Sequence, residues 1–138
     1  ELREKLLSYK ATADLHTNIF SQLVLAQYLA DNDIDAHIEK TKVLYKHKAE
    51  LMMDCMRKYL PEGVEFTPTE GGMFLWAKMN NGMNTTRWLE KTLSNGVVFV
   101  PGEFFYCNEP DTTTLRMSFV TPTDEELKEA VQRLKKSL

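Results

Sequence analysis

Two periodicities divide the chain. As far as residue 60 the apolar positions recur at helical spacing; from Val64 onward, short runs with a period of two alternate with helical ones. "ELREKLLSYKATA" predicts a short amphipathic helix. "TNIFSQLVLAQYLA" sets Ile19, Leu23, Ala26 and Ala30 on one stripe, widened by Phe20, Val24 and Leu29. That width predicts a helix buried over much of its circumference. Asn32 and Asp33 break it. A long helix follows over 34–60, with Leu44, Leu51, Cys55 and Tyr59 on one stripe and Ile38, Tyr45, Met52 and Met56 beside it, stopped by Pro61 and Gly63.

In the second half, "VEFTP" predicts a short strand and "GGMFLWAKM" a near-continuously apolar, central one. Asn80, Asn81 and Gly82 form a turn. A helix capped by Asn84 or Thr85 carries Trp88, Leu89, Thr92 and Leu93 and closes at Asn95 and Gly96. "VVFV" predicts a third strand ended by Pro101 and Gly102, and "TTTLRMSF" a fourth, with Leu115, Met117 and Phe119 on one face and Arg116 on the other. Thr123 followed by Glu126 is a capping box opening a last helix with Leu127, Ala130, Val131 and Leu134 on its stripe. The expected fold is α/β (α+β): a two-layer sandwich in which helices pack on a small, few-stranded sheet. It reads as one domain over 1–138, with N-terminal helices at 1–33, a linking helix at 34–60, and sheet and helices at 61–138.

Composition narrows the class. The 138 residues are 43% hydrophobic and 27% charged, as in soluble globular proteins. A net charge of -3 gives no electrostatic reason to expect nucleic acid or an anionic membrane as partner. No apolar run approaches the ~20 residues of a bilayer span, and a cytoplasmic setting is expected. Cys55 and Cys107 lie far apart, outside any metal-ligand spacing, which suits buried thiols in a reducing compartment. His16, His37 and His47 are scattered, so no metal site is expected.

Arg116 admits two readings. Thr114 and Ser118 share its face and are polar, so it can be a solvated side chain on a wet face. Alternatively it is a planar, two-pronged donor fixed on a rigid strand, suited to a carboxylate or phosphate. The Pro-Gly turn and aromatics of "FVPGEFFY" can wall such a site. Gly71 and Gly72 allow a sharp turn and a close approach before the central strand.

Taken together, "TPTEGGMFLWAKM", "GVVFVPGEFFY" and "TTLRMSF", in this order and spacing, resemble the C-terminal part of class I/II, fold-type I aminotransferases that depend on pyridoxal 5'-phosphate. "LHTNIFSQLVLAQYL", with the long helix ending "YLPEGVEFTP", resembles the branch acting on aromatic amino acids, 2-aminoadipate and kynurenine. The resemblance implies a small domain that works beside a larger cofactor domain, in a homodimer, on amino-acid and 2-oxo-acid substrates. It implies that Arg116 grips the substrate α-carboxylate and that Phe74 and Gly72 line the pocket, although Phe74 also reads as a core phenylalanine. It further implies that Leu15, His16, Thr17 and Asn18 lie near an entrance or dimer contact.

The departure is the Schiff-base lysine. The family sets it in an "S-x-S/T-K" context, whereas Lys5, Lys10, Lys40 and Lys42 lie in helical, serine-poor contexts. The expectation is that the cofactor domain is absent, that the chain starts just after the lysine region, and that it is inactive alone. Three alternatives stay open: part of a winged-helix transcription regulator with an aminotransferase-like body, a lyase of the same fold, or an interaction module.

Overall fold

The computed structural model describes residues 1–60 and 63–138. These divide into two compact units, 1–40 and 41–138, with the boundary inside one long helix.

The first unit holds α1 (Leu2–Asp14), α2 (Ile19–Asp31) and the start of α3 (Ile34–Tyr59). The Asn18 side chain accepts the Ser21 N–H at 3.0 Å and caps α2. The helix bounds match the sequence pattern, but the expected burial of α2 is corrected: none of its residues is buried, and Phe20 is 75% exposed. A wide apolar stripe specifies that a helix is to be covered, and among the described residues this one stays uncovered.

The second unit is built on a four-stranded antiparallel sheet of order β1-β2-β4-β3: β1 (Val64–Phe66), β2 (Phe74–Met79), β3 (Val100–Pro101) and β4 (Thr114–Ser118). With α4 (Thr85–Ser94) and α5 (Asp124–Lys136) it forms the expected mixed α/β arrangement of helices on a small sheet. Strand alternation sends Leu75, Ala77 and Met79 of β2, and Leu115 and Met117 of β4, into one core. They meet Met52, Met53 and Met56 of α3, Trp88 of α4, and Leu127, Val131 and Leu134 of α5. Each such large side chain contributes roughly 1.5–3 kcal/mol by leaving water.

β2 is central, as its apolar run predicts, but it is not covered on both faces. Its residues alternate, and Phe74 is 42% exposed. The third strand is shorter than "VVFV". The Val97 N–H is taken by the Thr92 carbonyl at 2.9 Å, closing α4, and Phe99 packs on Trp88 at 5.1 Å, so ladder pairing begins only at Val100. Of the helix-stopping residues after α3, Pro61 lies outside the described residues and Gly63 has φ +109°.

The capping box of α5 forms as read. The Glu126 carboxylate accepts the Thr123 N–H at 2.7 Å, and the Thr123 hydroxyl accepts the Glu126 N–H at 3.3 Å. Two ties beside it join residues too distant for any local pattern to link. Lys48, buried on α3, donates to the carbonyls of Val120 and Pro122. His47 Nε2 lies 2.7 Å from Asp124 Oδ2, and this hydrogen bond lowers the Asp124 pKa. The cysteines split: Cys55 is buried, which raises its pKa, whereas Cys107 is exposed, against expectation.

Candidate functional site

The sheet face turned away from the helices carries Phe74, Trp76 and Lys78 from β2 and Arg116 and Ser118 from β4. Register sets Arg116 opposite Trp76 on one side and Val100 on the other. The same alternation that buries Leu115 and Met117 puts Arg116 on this open face.

Two rings flank the guanidinium. Its carbon lies 4.1 Å from the Phe74 ring centre and 4.4 Å from that of Phe105. Phe105 meets Trp76 edge-on at 5.6 Å, and Tyr106 lies 6.4 Å from the same indole. The Nε of Arg116 is buried and has no hydrogen-bond partner among the described residues. The ion pairs among those residues also leave Arg116 out. A cation set against two apolar rings, with its donors unpaired among the described residues, is a costly arrangement for a purely structural side chain. It is a suitable one for a ligand that supplies the missing acceptors.

Phe105 ends a 3-10 turn, Gly102–Phe105, that local contacts hold firmly. A Cβ on Gly102 would fall 1.9 Å from Thr114 Oγ1, so only glycine lets the turn lie against β4. The Thr86 hydroxyl of α4 donates to the Glu103 carboxylate. The wall that "FVPGEFFY" suggests is thus present. Which of its aromatics meets Arg116 depends on this turn and has no signature in the sequence.

At the other end of the face, Lys78 pairs with Asp111 at 2.8 Å. The Lys78 ammonium and the Thr113 hydroxyl and N–H hold the Asp111 carboxyl down at about 2, from an ordinary 3.8. The same hydrogen bond raises the Lys78 pKa. Asp111 was not singled out by its residue type, although "EPD" before a strand is a turn signal.

Phe74 therefore lies beside Arg116, with its face toward the guanidinium rather than in the core. Gly72, at φ +78°, makes the turn into β2, but a Cβ there or at Gly71 would meet nothing within 4 Å among the described residues. Gly72 thus serves the turn into β2. Leu15, His16, Thr17 and Asn18 belong to the first unit, whereas Arg116, Phe74 and Gly72 belong to the second. Leu15 is 80% exposed and sits at φ +58°, ψ -62°, with the His16 N–H reaching the Asp14 carbonyl at 2.6 Å. This is a γ-turn of the rarer, strained hand. Asn18 has a local role, the cap of α2.

Comparison with known proteins gives these residues a setting. The chain is 36% identical over 134 residues to aromatic-amino-acid aminotransferase 1 of Thermococcus litoralis, covering 97% of this chain and 32% of that protein. It is 32% identical over 138 residues to the 2-aminoadipate transaminase of Thermus thermophilus, covering 100% of this chain and 34% of the relative. Among solved structures, an α-aminoadipate aminotransferase from Thermus thermophilus, complexed with N-(5'-phosphopyridoxyl)-L-leucine, superposes with a TM-score of 0.86 at 31% identity. That match covers 99% of this chain and 35% of the other. The chain spans about a third of the length of these relatives. The family described as "Aminotransferase class I and II" matches residues 5–134, and with relatives above 30% identity along almost all of its length, the chain belongs to that family.

Proposed function

We infer that this chain is the carboxylate-gripping part of a pyridoxal-phosphate-dependent aminotransferase that moves an amino group between an amino acid and a 2-oxo acid. The observation that carries this reading is Arg116, set against Phe74 and Phe105 with its Nε left without an acceptor among the described residues. Amino transfer requires the bond to the α-hydrogen to be held in one orientation. A two-pronged salt bridge from a strand-mounted arginine to the α-carboxylate supplies that orientation. Phe74 lines the pocket beside the gripped group, and Gly72 shapes the loop that delivers it.

The cofactor, when bound to the parent protein, supplies the electron sink for the chemistry. The residues of this chain do not furnish its Schiff base. None of its lysines stands in the S-x-S/T-K setting of the family's Schiff-base lysine, and Lys78 is ion-paired with Asp111. The large domain of the same parent polypeptide is the expected holder of pyridoxal phosphate. The uncovered apolar positions of α2 fit burial against that domain or against the partner in a homodimer, with Leu15, His16 and Asn18 at the contact.

The test is amino transfer itself. The full-length protein that carries this chain, supplied with pyridoxal phosphate, is expected to convert an L-amino acid and a 2-oxo acid into the exchanged pair. The 138-residue chain alone is expected neither to do this nor to form a lysine-linked adduct. Elimination products would favour a lyase. Amino-acid binding without turnover, in a protein with a basic helix-turn-helix, would favour a regulator. A stoichiometric, catalytically competent adduct on the chain alone would overturn the division of labour.

A further inference from the structure

We propose that Phe105 is a positioning residue for Arg116: with Phe74 it holds the guanidinium so that only its N–H edge meets the ligand. The proposal rests on the reading of Arg116 as the carboxylate anchor. An arginine side chain has many rotamers, and a free one presents its donors in many directions. Here the guanidinium carbon lies 4.1 Å and 4.4 Å from two ring centres. Rings attract the cation by its face and do not compete for the N–H donors. A carboxylate in their place would occupy the edge that the substrate needs.

Phe105 is not a core residue that meets the arginine by accident. It is 45% exposed, and its ring meets the Arg116 guanidinium and, edge to face, the Trp76 indole. The turn that carries it is fixed from two directions, by the Gly102 backbone against Thr114 and by Glu103 against Thr86 of α4. The Tyr106 N–H closes it on the Glu103 carbonyl at 3.4 Å. So much anchoring for a half-exposed ring is explained if the ring's place matters. The terminal N–H groups are then the direction left open, since Nε alone is buried, and they suit the planar carboxylate of an amino or 2-oxo acid arriving in the guanidinium plane.

The test uses the full-length protein with pyridoxal phosphate and two probes, L-phenylalanine and L-phenylalaninamide, which differ in the carboxylate alone. Phe105→Ala is expected to lower the acid-to-amide ratio of kcat/KM about tenfold, and Phe105→Tyr is expected to restore the ratio. Equal losses on both probes, or no recovery with tyrosine, would overturn the positioning role. Arg116→Ala separates the two claims. If it leaves the ratio intact, the anchor reading fails; if it collapses the ratio while Phe105→Ala does not, only the role of Phe105 fails. A readout independent of turnover is the Arg116 Nε–H resonance in arginine-labelled protein. Ring currents are expected to displace it from the ordinary arginine position and Phe105→Ala to return it part of the way. An ordinary position that the substitution does not move would overturn the proposal.

Discussion

The tight approach of Gly102 to Thr114 gives the sharpest stability prediction. A Cβ on residue 102 would lie 1.9 Å from Thr114 Oγ1, 2.6 Å from its Cβ and 2.8 Å from its carbonyl carbon. Rotating the hydroxyl away does not relieve the clash, because the other two atoms are fixed to the strand. Thr114 is 2% exposed, its hydroxyl donates to the Asp111 carbonyl at 2.8 Å, and its own carbonyl accepts from Thr85 at 2.7 Å. Gly102→Ala must therefore push β4 and the 3-10 turn apart. Overpacking costs about 1–3 kcal/mol and a lost hydrogen bond about 1 kcal/mol, so a loss of about 2–4 kcal/mol is expected. Urea unfolding followed by the fluorescence of Trp76 and Trp88 measures it. Gly71→Ala is the control: a Cβ there meets nothing within 4 Å, and the change is expected to be neutral or slightly stabilising. A loss below about 0.5 kcal/mol for Gly102→Ala would refute the packing argument, since that is the scatter of ordinary surface changes.

Three further outcomes can be checked on the same assay. Thr123→Ala removes the hydroxyl that accepts the Glu126 N–H and is expected to cost about 1 kcal/mol, with little further loss when Glu126 is also removed. Asp111, held at about 2 against an ordinary 3.8, contributes stability that is present above about pH 4 and is lost as pH falls toward 2. Asp111→Asn is expected to flatten the stability profile in that window and to leave its neutral-pH slope alone. Leu15→Gly is expected to leave stability unchanged or raise it by up to about 1 kcal/mol, because the leucine occupies a φ of +58° that glycine adopts freely. A loss of about 1 kcal/mol or more, usual for glycine inside a helix, would contradict the strained turn.

Much of the second unit was legible because its signals are local. Alternation in "TLRMS" sorted Leu115 and Met117 from Arg116, the Thr123–Glu126 pair opened α5, and the cap of α4, read as Asn84 or Thr85, is Asn84. Where the reading failed, the deciding partner lay elsewhere in the chain or outside it. β3 is short because Val97 is taken by the closure of α4, a competition that strand propensity cannot register. The apolar stripe of α2 announced burial without naming what would supply it. Lys48 and His47 find their partners, Pro122 and Asp124, 74 and 77 residues away through packing alone. At the candidate site, residue type and company pointed to Arg116 and Phe74. The contribution of Phe105 emerged only with the turn that aims it, since "EFFY" offers three aromatics in a row.

The central claim is that Arg116 grips an α-carboxylate, and its most direct test is the kinetics of Arg116→Ala in the full-length protein with pyridoxal phosphate. Truncating one partner of a hydrogen-bonded charge pair costs about 2–5 kcal/mol, so kcat/KM for an L-amino acid is expected to fall by roughly 30- to several-thousand-fold. Arg116→Lys, which keeps the charge and loses the two-pronged geometry, is expected to recover only part of it. An Arg116→Ala protein that retains kcat/KM within about threefold of the parent, a difference well under the tenfold that about 1.4 kcal/mol confers, would contradict the account.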